Sequence, residues 1–196
     1  DVRTASGAIF AIGSSNRLYN VNPVTGVATQ VGAPFSIALS GTQFAYDFNP
    51  TIDRSRVVSN LQDNYVVNPN DGVIGQFTDV FYAAGDPNVG ITPSIVHAAY
   101  NNNVNGAVTS QLFSIDSGLN ILTRQANSAG TLTTVGGLGV DINTIGGFDI
   151  AGTAGFGFGA FMLEGGNVSQ FYQINLTTGQ ATSLGQIGNG TVITVM

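Results

Sequence analysis

The chain of 196 residues contains no cysteine, no tryptophan and no lysine, and Glu164 is its only glutamate. Without cysteine there is neither a disulfide framework nor thiolate chemistry. Only 5 cationic side chains are present, all of them arginine, so no basic surface is available for the phosphates of a nucleic acid. These absences exclude a disulfide scaffold and a thiol enzyme, and they make nucleic acid a poor partner.

Charge of either sign is scarce, at 8% of residues against roughly a quarter in a typical soluble domain. The hydrophobic fraction of 43% is nevertheless sufficient for the core of a single domain. The longest apolar stretch, residues 150–163, is too short for a membrane helix and is interrupted by glycines. We predict no membrane insertion. The opening Asp-Val-Arg, without Met, suggests a processed or truncated start.

Strand signals are strong and helix signals are weak. Short alternating runs rich in Val, Ile, Thr, Phe and Tyr are separated by Asn-Pro, Asn-Gly, Asp-Gly and Thr-Gly turns. No stretch keeps apolar residues at positions i, i+3, i+4 and i+7 for three turns while avoiding glycine and β-branched residues. The sequence therefore predicts an all-β protein.

One motif occurs more than once. LYNVNPVTGVATQVG covers residues 18–32, and FYQINLTTGQATSLG covers residues 171–185. Each copy predicts a hairpin, because Asn22 can bond its own backbone, Pro23 sets φ for a type I turn, and Gly26 can adopt a left-handed conformation. The repetition predicts that the fold is built from similar units.

Two further copies are less regular. NYVVNPNDGVIGQF, residues 64–77, keeps the Asn-Pro turn. LFSIDSGLNILTRQ, residues 112–125, is a degenerate version that TLTTVG, residues 131–136, would close. Each hairpin is preceded by another predicted strand pair, so four units of about four strands follow at the spacing of propeller blades.

The sequence thus predicts one all-β, propeller-like domain with about four visible four-stranded blades and an orphan C-terminal strand from an incomplete fifth blade. An open ring of this kind would leave sheet edges without partners. The predicted units are approximately 1–43, 44–94, 95–145 and 146–190, followed by a closing strand at 191–196.

Several of these motifs resemble a known bacterial family. FAYDFNPTIDRSRVVS at 44–59, the hairpin at 18–32, AGTLTTVGGLGVDI at 129–142 and FYQINLTTGQATSLGQIG at 171–188 are similar to the family known as domain of unknown function 4394. The resemblance covers essentially the whole chain. It implies a secreted or surface-attached propeller-like domain with no assigned activity, whose members usually carry a complete inner strand and a further hairpin upstream.

His97 is the only histidine, and it lies in the apolar run SIVHAAY without any G-x-S-x-G motif elsewhere in the chain. We predict a packed core histidine rather than a catalytic base. Asp47 and Asp149 occupy matching places in YDF and FDI, and Asp1 is a third candidate. These carboxylates either line the central axis, as a cation site or acid–base pair, or have a structural role. In the structural role they accept backbone N–H groups at unit junctions or pair with Arg3, Arg54 or Arg56. Repetition favours the structural role.

Two smaller clusters have structural interpretations as well. Asp53, Arg54 and Arg56 are predicted to form a clamp that holds one turn. Phe156 and Phe158 share one face of a strand and are predicted to pack between blades, while the intervening glycines admit close backbone contact. No calcium-loop motif occurs, so we predict no metal site, no cofactor and no catalytic residue.

The predicted function is a non-catalytic extracellular or cell-surface structural module that self-associates by strand pairing between copies, as a fibre or surface-layer-like subunit. The absence of lysine, which commonly guards sheet edges, supports this interpretation. The alternative is an extracellular propeller that binds a glycan or a protein. The predicted association edge comprises Asp1, Val2, Arg3, Thr191, Val192, Ile193, Thr194, Val195 and Met196. Possible N-glycosylation sites are Asn167, Asn175 and Asn189.

Overall fold

The computed structural model describes residues 1–190, and in this part of the chain every regular element is a β-strand. The first nine strands are β1 (Val2–Arg3), β2 (Ala8–Gly13), β3 (Arg17–Val21), β4 (Ala28–Val31), β5 (Phe44–Asn49), β6 (Arg54–Ser59), β7 (Asn64–Val67), β8 (Ile74–Phe77) and β9 (Phe81–Tyr82). The remaining strands are β10 (Ile95–Tyr100), β11 (Leu112–Asp116), β12 (Ile121–Gln125), β13 (Thr131–Gly137), β14 (Ile142–Asp149), β15 (Phe156–Leu163), β16 (Ser169–Asn175) and β17 (Ala181–Gln186). No helix in the described range is long and apolar enough to cross a membrane.

The strands form four sheets, each an antiparallel meander that runs outward in chain order. The first sheet is β1–β4, the second is β5–β8, the third is β10–β13 with the short β9 added beside β13, and the fourth is β14–β17. Strand β10 packs beside both β5 and β14, so the innermost strands of successive sheets are neighbours. This arrangement is a propeller of four blades, and it confirms the predicted fold class. The predicted closing strand at 191–196 lies outside the described residues.

The sheets depart from the predicted units at two places. Strand β9 lies within residues 44–94, yet it pairs in parallel with β13 of the third sheet. The chain passes from the second sheet to the third at this point. The N–H of Val80 donates to the carbonyl of Gln62 in the second sheet, and the N–H of Phe81 donates to the carbonyl of Gly130 in the third. Strand β14 begins at Ile142, ahead of residue 146.

The hairpin between the third and fourth strands has the same geometry in every sheet. In the first sheet, the N–H of Asn22 donates to Val27 O at 2.9 Å and the N–H of Gly26 donates to Asn22 O at 2.8 Å. The Asn22 side chain also accepts the N–H groups of Val24 and Thr25, as predicted. The equivalent turns are 68–72, 126–130 and 175–179, each with the same two backbone bonds.

The predicted fourth copy of the hairpin at 112–125 is therefore wrong in position. Residues 112–125 form the β11–β12 hairpin, which joins the second and third strands of the third sheet. The equivalent turn is 126–130, where Ala126 stands in place of the asparagine. The backbone bonds of the turn persist without the side chain that made the other copies recognisable.

Three buried apolar clusters lie between neighbouring sheets. Phe10 and Leu18 of the first sheet pack with Phe48 and Tyr65 of the second. Similar clusters join the second sheet to the third and the third to the fourth. Within residues 1–190 no corresponding cluster joins the fourth sheet to the first.

Candidate interaction site

The repeat allows each sheet to be compared with its neighbours at matching positions. Two adjacent residues of the third strand are Leu18–Tyr19, Asn64–Tyr65, Leu122–Thr123 and Phe171–Tyr172 in the four sheets. Strand alternation points the first residue of each pair toward the following sheet and the second toward the preceding sheet. In the second and third sheets all four side chains are at most 1% exposed, because both faces are covered.

The end sheets each have one face that the described residues do not cover. In the first sheet, Leu18 is 0% exposed against the second sheet, whereas Tyr19 on the opposite face is only half-buried. In the fourth sheet the order is reversed, because Tyr172 is 3% exposed and Phe171 is half-buried. The same repeat position is thus core in one sheet and surface in another.

The uncovered face of the fourth sheet is aromatic. Phe158 and Phe171 stack with ring centroids 5.4 Å apart and an interplanar angle of 7°, and Phe156 contacts Phe158 edge-on at 5.4 Å. The predicted burial of Phe156 between blades is wrong, since its side chain is 37% exposed. We call Phe156, Phe158, Phe171 and Leu184 the fourth-sheet open face.

The opposite face of β15 agrees with the sequence prediction. A Cβ added to Gly157 would lie 2.4 Å from the Phe148 ring, and one added to Gly159 would lie 2.2 Å from the Phe161 ring. Only glycine permits this approach. On the first sheet, Ile9, Tyr19 and Val21 form the corresponding first-sheet open face, where all three side chains are half-buried.

A backbone contact recurs at the outer edge of each pair of neighbouring sheets. There, the end of one outer strand touches the hairpin turn of the next sheet so closely that a side chain would not fit. A Cβ on the relevant glycine would lie 1.7–2.4 Å from a carbonyl oxygen. The three contacts are Gly32 with Asp71 O, Gly130 with Thr78 O, and Gly136 with Thr178 O. We call this contact the glycine joint.

The two glycines of a fourth glycine joint are present, but neither meets a partner for this contact among the described residues. Gly185 ends the outer strand of the fourth sheet, and Gly26 (φ +72°) lies in the hairpin turn of the first. Among the described residues, no atom lies within 4 Å of a Cβ placed on either glycine. Each end of the propeller therefore presents one half of the contact that joins its interior sheets.

Carboxylates make a second recurring contact at the inner strands. Asp1 Oδ2 accepts the N–H of Phe48 at 2.8 Å, and Asp47 Oδ2 accepts the N–H of Tyr100 at 2.5 Å. Each bond joins one inner strand to the next, which confirms the structural interpretation of Asp47. The matching Asp149 is exposed and, in the described part, receives only the N–H of its own neighbour, Ile150.

The inner carboxylates lie close enough to act on one another, since, in addition to burial, the charge of Asp149 contributes to the raised pKa of Asp47. Burial raises the pKa of Asp47 to about 8, and burial lowers the pKa of His97 to about 4. A cavity of about 850 Å³ on the axis touches Asp1, Tyr46 and His97, but neither Asp47 nor Asp149. Over residues 1–190 no group of three acidic or histidine side chains is placed to hold a metal ion.

His97 is packed as predicted. It is 6% exposed, and its ring stacks on Phe161 with centroids 5.5 Å apart. Its Nε2 is buried without a hydrogen-bond partner among the described residues. The low pKa keeps the imidazole neutral at physiological pH, so this buried nitrogen carries no charge.

The predicted Asp53 clamp is correct in part. Arg3 Nε donates to Asp53 Oδ1 at 2.7 Å and Arg3 also pairs with Oδ2, which lowers the pKa of Asp53. Arg54 donates to the Asp53 carbonyl. Arg56 is not part of this clamp, because its side chain is buried at the second junction, between the second and third sheets.

The proposed edge and the sequons have the following positions. Val2 and Arg3 pair with β2, and Val2 is 46% exposed. Thr191–Met196 lie outside the described residues. Asn167, Asn175 and Asn189 are all exposed. The Asn175 side chain also accepts the N–H groups of its turn.

The sequence reading missed both open faces and the unfilled glycine joint. Aligning the hairpins would have found the candidates, since Gly185 matches Gly32 and Phe171 matches Leu18. The alignment alone does not show which copies have neighbours. That information comes from the arrangement of the sheets.

Comparison with known proteins gives a family and a fold. A family model described as domain of unknown function (DUF4394) matches residues 1–196. No curated protein matches the chain. The hydrazine synthase of Kuenenia stuttgartiensis is similar with a TM-score of 0.54 at 13% identity, covering 95% of this chain and 47% of that chain. A chain of a nidogen/laminin complex is similar with a TM-score of 0.59 at 9% identity, covering 93% and 62% respectively. The chain thus spans less than two thirds of either protein, and at these identities the likeness shows the fold alone.

Proposed function

The chain belongs to the family described as domain of unknown function 4394, and from its geometry we propose a non-catalytic, extracellular structural module that self-associates as a subunit of a fibre or surface layer. The partner is a second copy of the chain. The extracellular location rests on the composition and on the family resemblance. The non-catalytic role rests on the sequence, which has one histidine, one glutamate and no cysteine.

The proposal rests on one observation about the two end sheets. At matching positions of the repeat, the side chain that is covered in one end sheet is uncovered in the other. Leu18 and Tyr172 are covered by a neighbouring sheet, whereas their counterparts Phe171 and Tyr19 are not. The uncovered face of the fourth sheet is the side that packs on the following sheet at an interior junction. The uncovered face of the first sheet is the side that packs on the preceding sheet. Together they correspond to the two sides of one interior junction. A copy that offers its fourth-sheet open face to the first-sheet open face of the next copy would cover both.

Sedimentation velocity over a concentration series tests the proposal. We expect the wild-type chain to form species that grow with concentration. Phe171→Gln should weaken association about tenfold or more, because an aromatic ring loses its burial at the contact. Phe81→Gln is the matched control, since Phe81 is an exposed phenylalanine (47%) that pairs with the third sheet and belongs to neither end sheet.

A wild-type chain that stays monomeric at every concentration would refute the proposal. Equal weakening by Phe171→Gln and Phe81→Gln would mean that the association uses another surface. Unfolding of each variant in urea shows whether it keeps the wild-type fold, so a loss of association can be separated from a loss of structure.

The axial cavity favours a second candidate, an extracellular propeller that binds a glycan or a protein. The cavity of about 850 Å³ has the size of a small-molecule site, and His97 is one of the residues that line it. Screening against a glycan array tests this candidate, with His97→Phe as the comparison. Array binding that His97→Phe leaves unchanged would exclude the cavity as the glycan site.

A further inference from the structure

The glycine joint is built from the same two backbone contacts at the first and third junctions. A carbonyl of the hairpin turn lies against the α-carbon of the outer-strand glycine, and the α-carbon of the turn glycine lies against a carbonyl of the outer strand. At the second junction the outer strand has Thr78 in this place, and only the turn glycine, Gly130, makes the close contact. At Gly32 and Gly72, for example, added Cβ atoms would lie 1.7 Å from Asp71 O and 2.7 Å from Val31 O. The contact uses backbone atoms from both partners, so its geometry is fixed by the repeat and not by particular side chains.

The inner carboxylate contact occurs at the first and second junctions, where Asp1 accepts the N–H of Phe48 and Asp47 accepts the N–H of Tyr100. In each case the donor is the residue that follows the matching position on the next inner strand. The third sheet has Ala99 at this position and so has no carboxylate to offer the fourth. By the same alignment, the counterpart of Phe48 and Tyr100 in the first sheet is Val2. The exposed Asp149 therefore matches the N–H of Val2, which within the chain donates to Asp1 Oδ1 at 2.6 Å.

We infer that copies of the chain join through this same junction, with Gly185 of one copy against the Thr25–Gly26 turn of the next and Asp149 accepting the neighbour's Val2 N–H. The inference rests on the proposed function and adds the residue-level register of the contact. It also sets the polarity, because each copy carries one outer-strand half and one turn half. The contact is head-to-tail, which generates open chains wherever the rotation between copies does not close a ring.

Gly26→Asn tests the outer part of the junction. Asparagine tolerates the left-handed conformation at φ +72°, and its Cβ meets no described atom in the isolated chain. In the junction the same Cβ would meet a carbonyl, so we expect association to weaken more than tenfold while the urea midpoint stays close to wild type. Gly165→Asn is the matched control, with φ +68° and open space around its Cβ.

Asp149→Asn tests the inner part. The substitution keeps the shape and removes the charge that strengthens the bond to the backbone N–H, so we expect association to weaken about tenfold. Glu164→Gln removes one exposed charge of the same sign on the same sheet and should leave association unchanged.

Because the chain has no cysteine, disulfide trapping gives a direct test of register. Mixing Thr25→Cys with Leu184→Cys should give a covalent heterodimer, since the counterparts of these residues flank the interior joint. Mixing Val108→Cys, at a site 90% exposed, with Leu184→Cys should not. A double variant that forms its disulfide within one monomer would overturn the inference, because the chain would then close on itself.

The outcomes separate the two proposals. A wild-type chain that never associates overturns both. A wild-type chain that associates, but is affected by Gly26→Asn and Asp149→Asn no more than by their controls, overturns the glycine-joint register and leaves self-association standing.

Discussion

The buried Asp47 carboxyl makes the stability of the fold depend on pH. It is 3% exposed, and burial raises its pKa to about 8 in spite of the N–H bond from Tyr100. An unfolded aspartate loses its proton near pH 4, so the folded state holds the extra proton between about pH 4 and pH 8. The free energy of unfolding therefore falls as pH rises through this window, by at most about 1.4 kcal/mol per pH unit.

Asp47→Asn removes this dependence while keeping an oxygen for the Tyr100 N–H. Between pH 5 and pH 7 the variant should gain about 2–3 kcal/mol over wild type, as two pH units at the limiting slope. The comparison with the variant is essential, because burial lowers the pKa of His97 and of the Asp1 amino group, and both act with the opposite sign. The His97 contribution is common to both proteins, whereas the Asp1 amino group interacts with Asp47, so its contribution differs between them where Asp47 is ionised.

Urea unfolding of both proteins at pH 5, 6, 7 and 8 measures the difference. Asp141→Asn, at an exposed carboxyl, serves as the control. If the wild-type and Asp47→Asn curves stay parallel across this range, Asp47 ionises in the folded state as it does in the unfolded chain, and the argument from burial is refuted.

Two further substitutions test the interior junctions, each by the free energy of unfolding in urea. Arg56→Met should cost about 2–4 kcal/mol, because the buried guanidinium donates to Asn64 Oδ1, Asn127 O and Tyr100 Oη at 2.5–3.1 Å; a cost below about 1 kcal/mol would show that water replaces these bonds. Gly136→Ala should cost about 1–3 kcal/mol, since its Cβ would lie 2.2 Å from Thr178 O and the third and fourth sheets must separate. Gly155→Ala, with open space around the Cβ, is its control, and equal effects would contradict the glycine joint.

The fold was accessible from the sequence wherever local chemistry determines structure. The alternating runs became strands, and Asn22, Pro23 and Gly26 formed the predicted turn, because φ preferences and side-chain to backbone bonds act within a few residues. The turn at 126–130 escaped prediction because Ala126 lacks the side chain on which recognition depended. The two-residue strand β9 was not predicted, because it forms only through its parallel pairing with β13.

The candidate site was only partly accessible, because it depends on which sheets are neighbours. The alternation of Phe156 and Phe158 with glycine gave the correct two faces, but it could not show that the aromatic face lacks a covering sheet. The position of Asp47 suggested a backbone acceptor, while its donor, Tyr100, lies on another sheet. Contacts between distant segments require the arrangement of the whole propeller.

The uniform hairpin turns make the chain a regular display scaffold. Each turn is held by two backbone bonds of its flanking residues, while one tip residue of each turn, Val24, Asn70, Ser128 or Thr177, is exposed. A short recognition peptide inserted at these tips would be presented up to four times on one rigid body. Binding to a clustered receptor would then gain from effective concentration, and the spacing of the ligands would be set by the blades and not by a flexible linker.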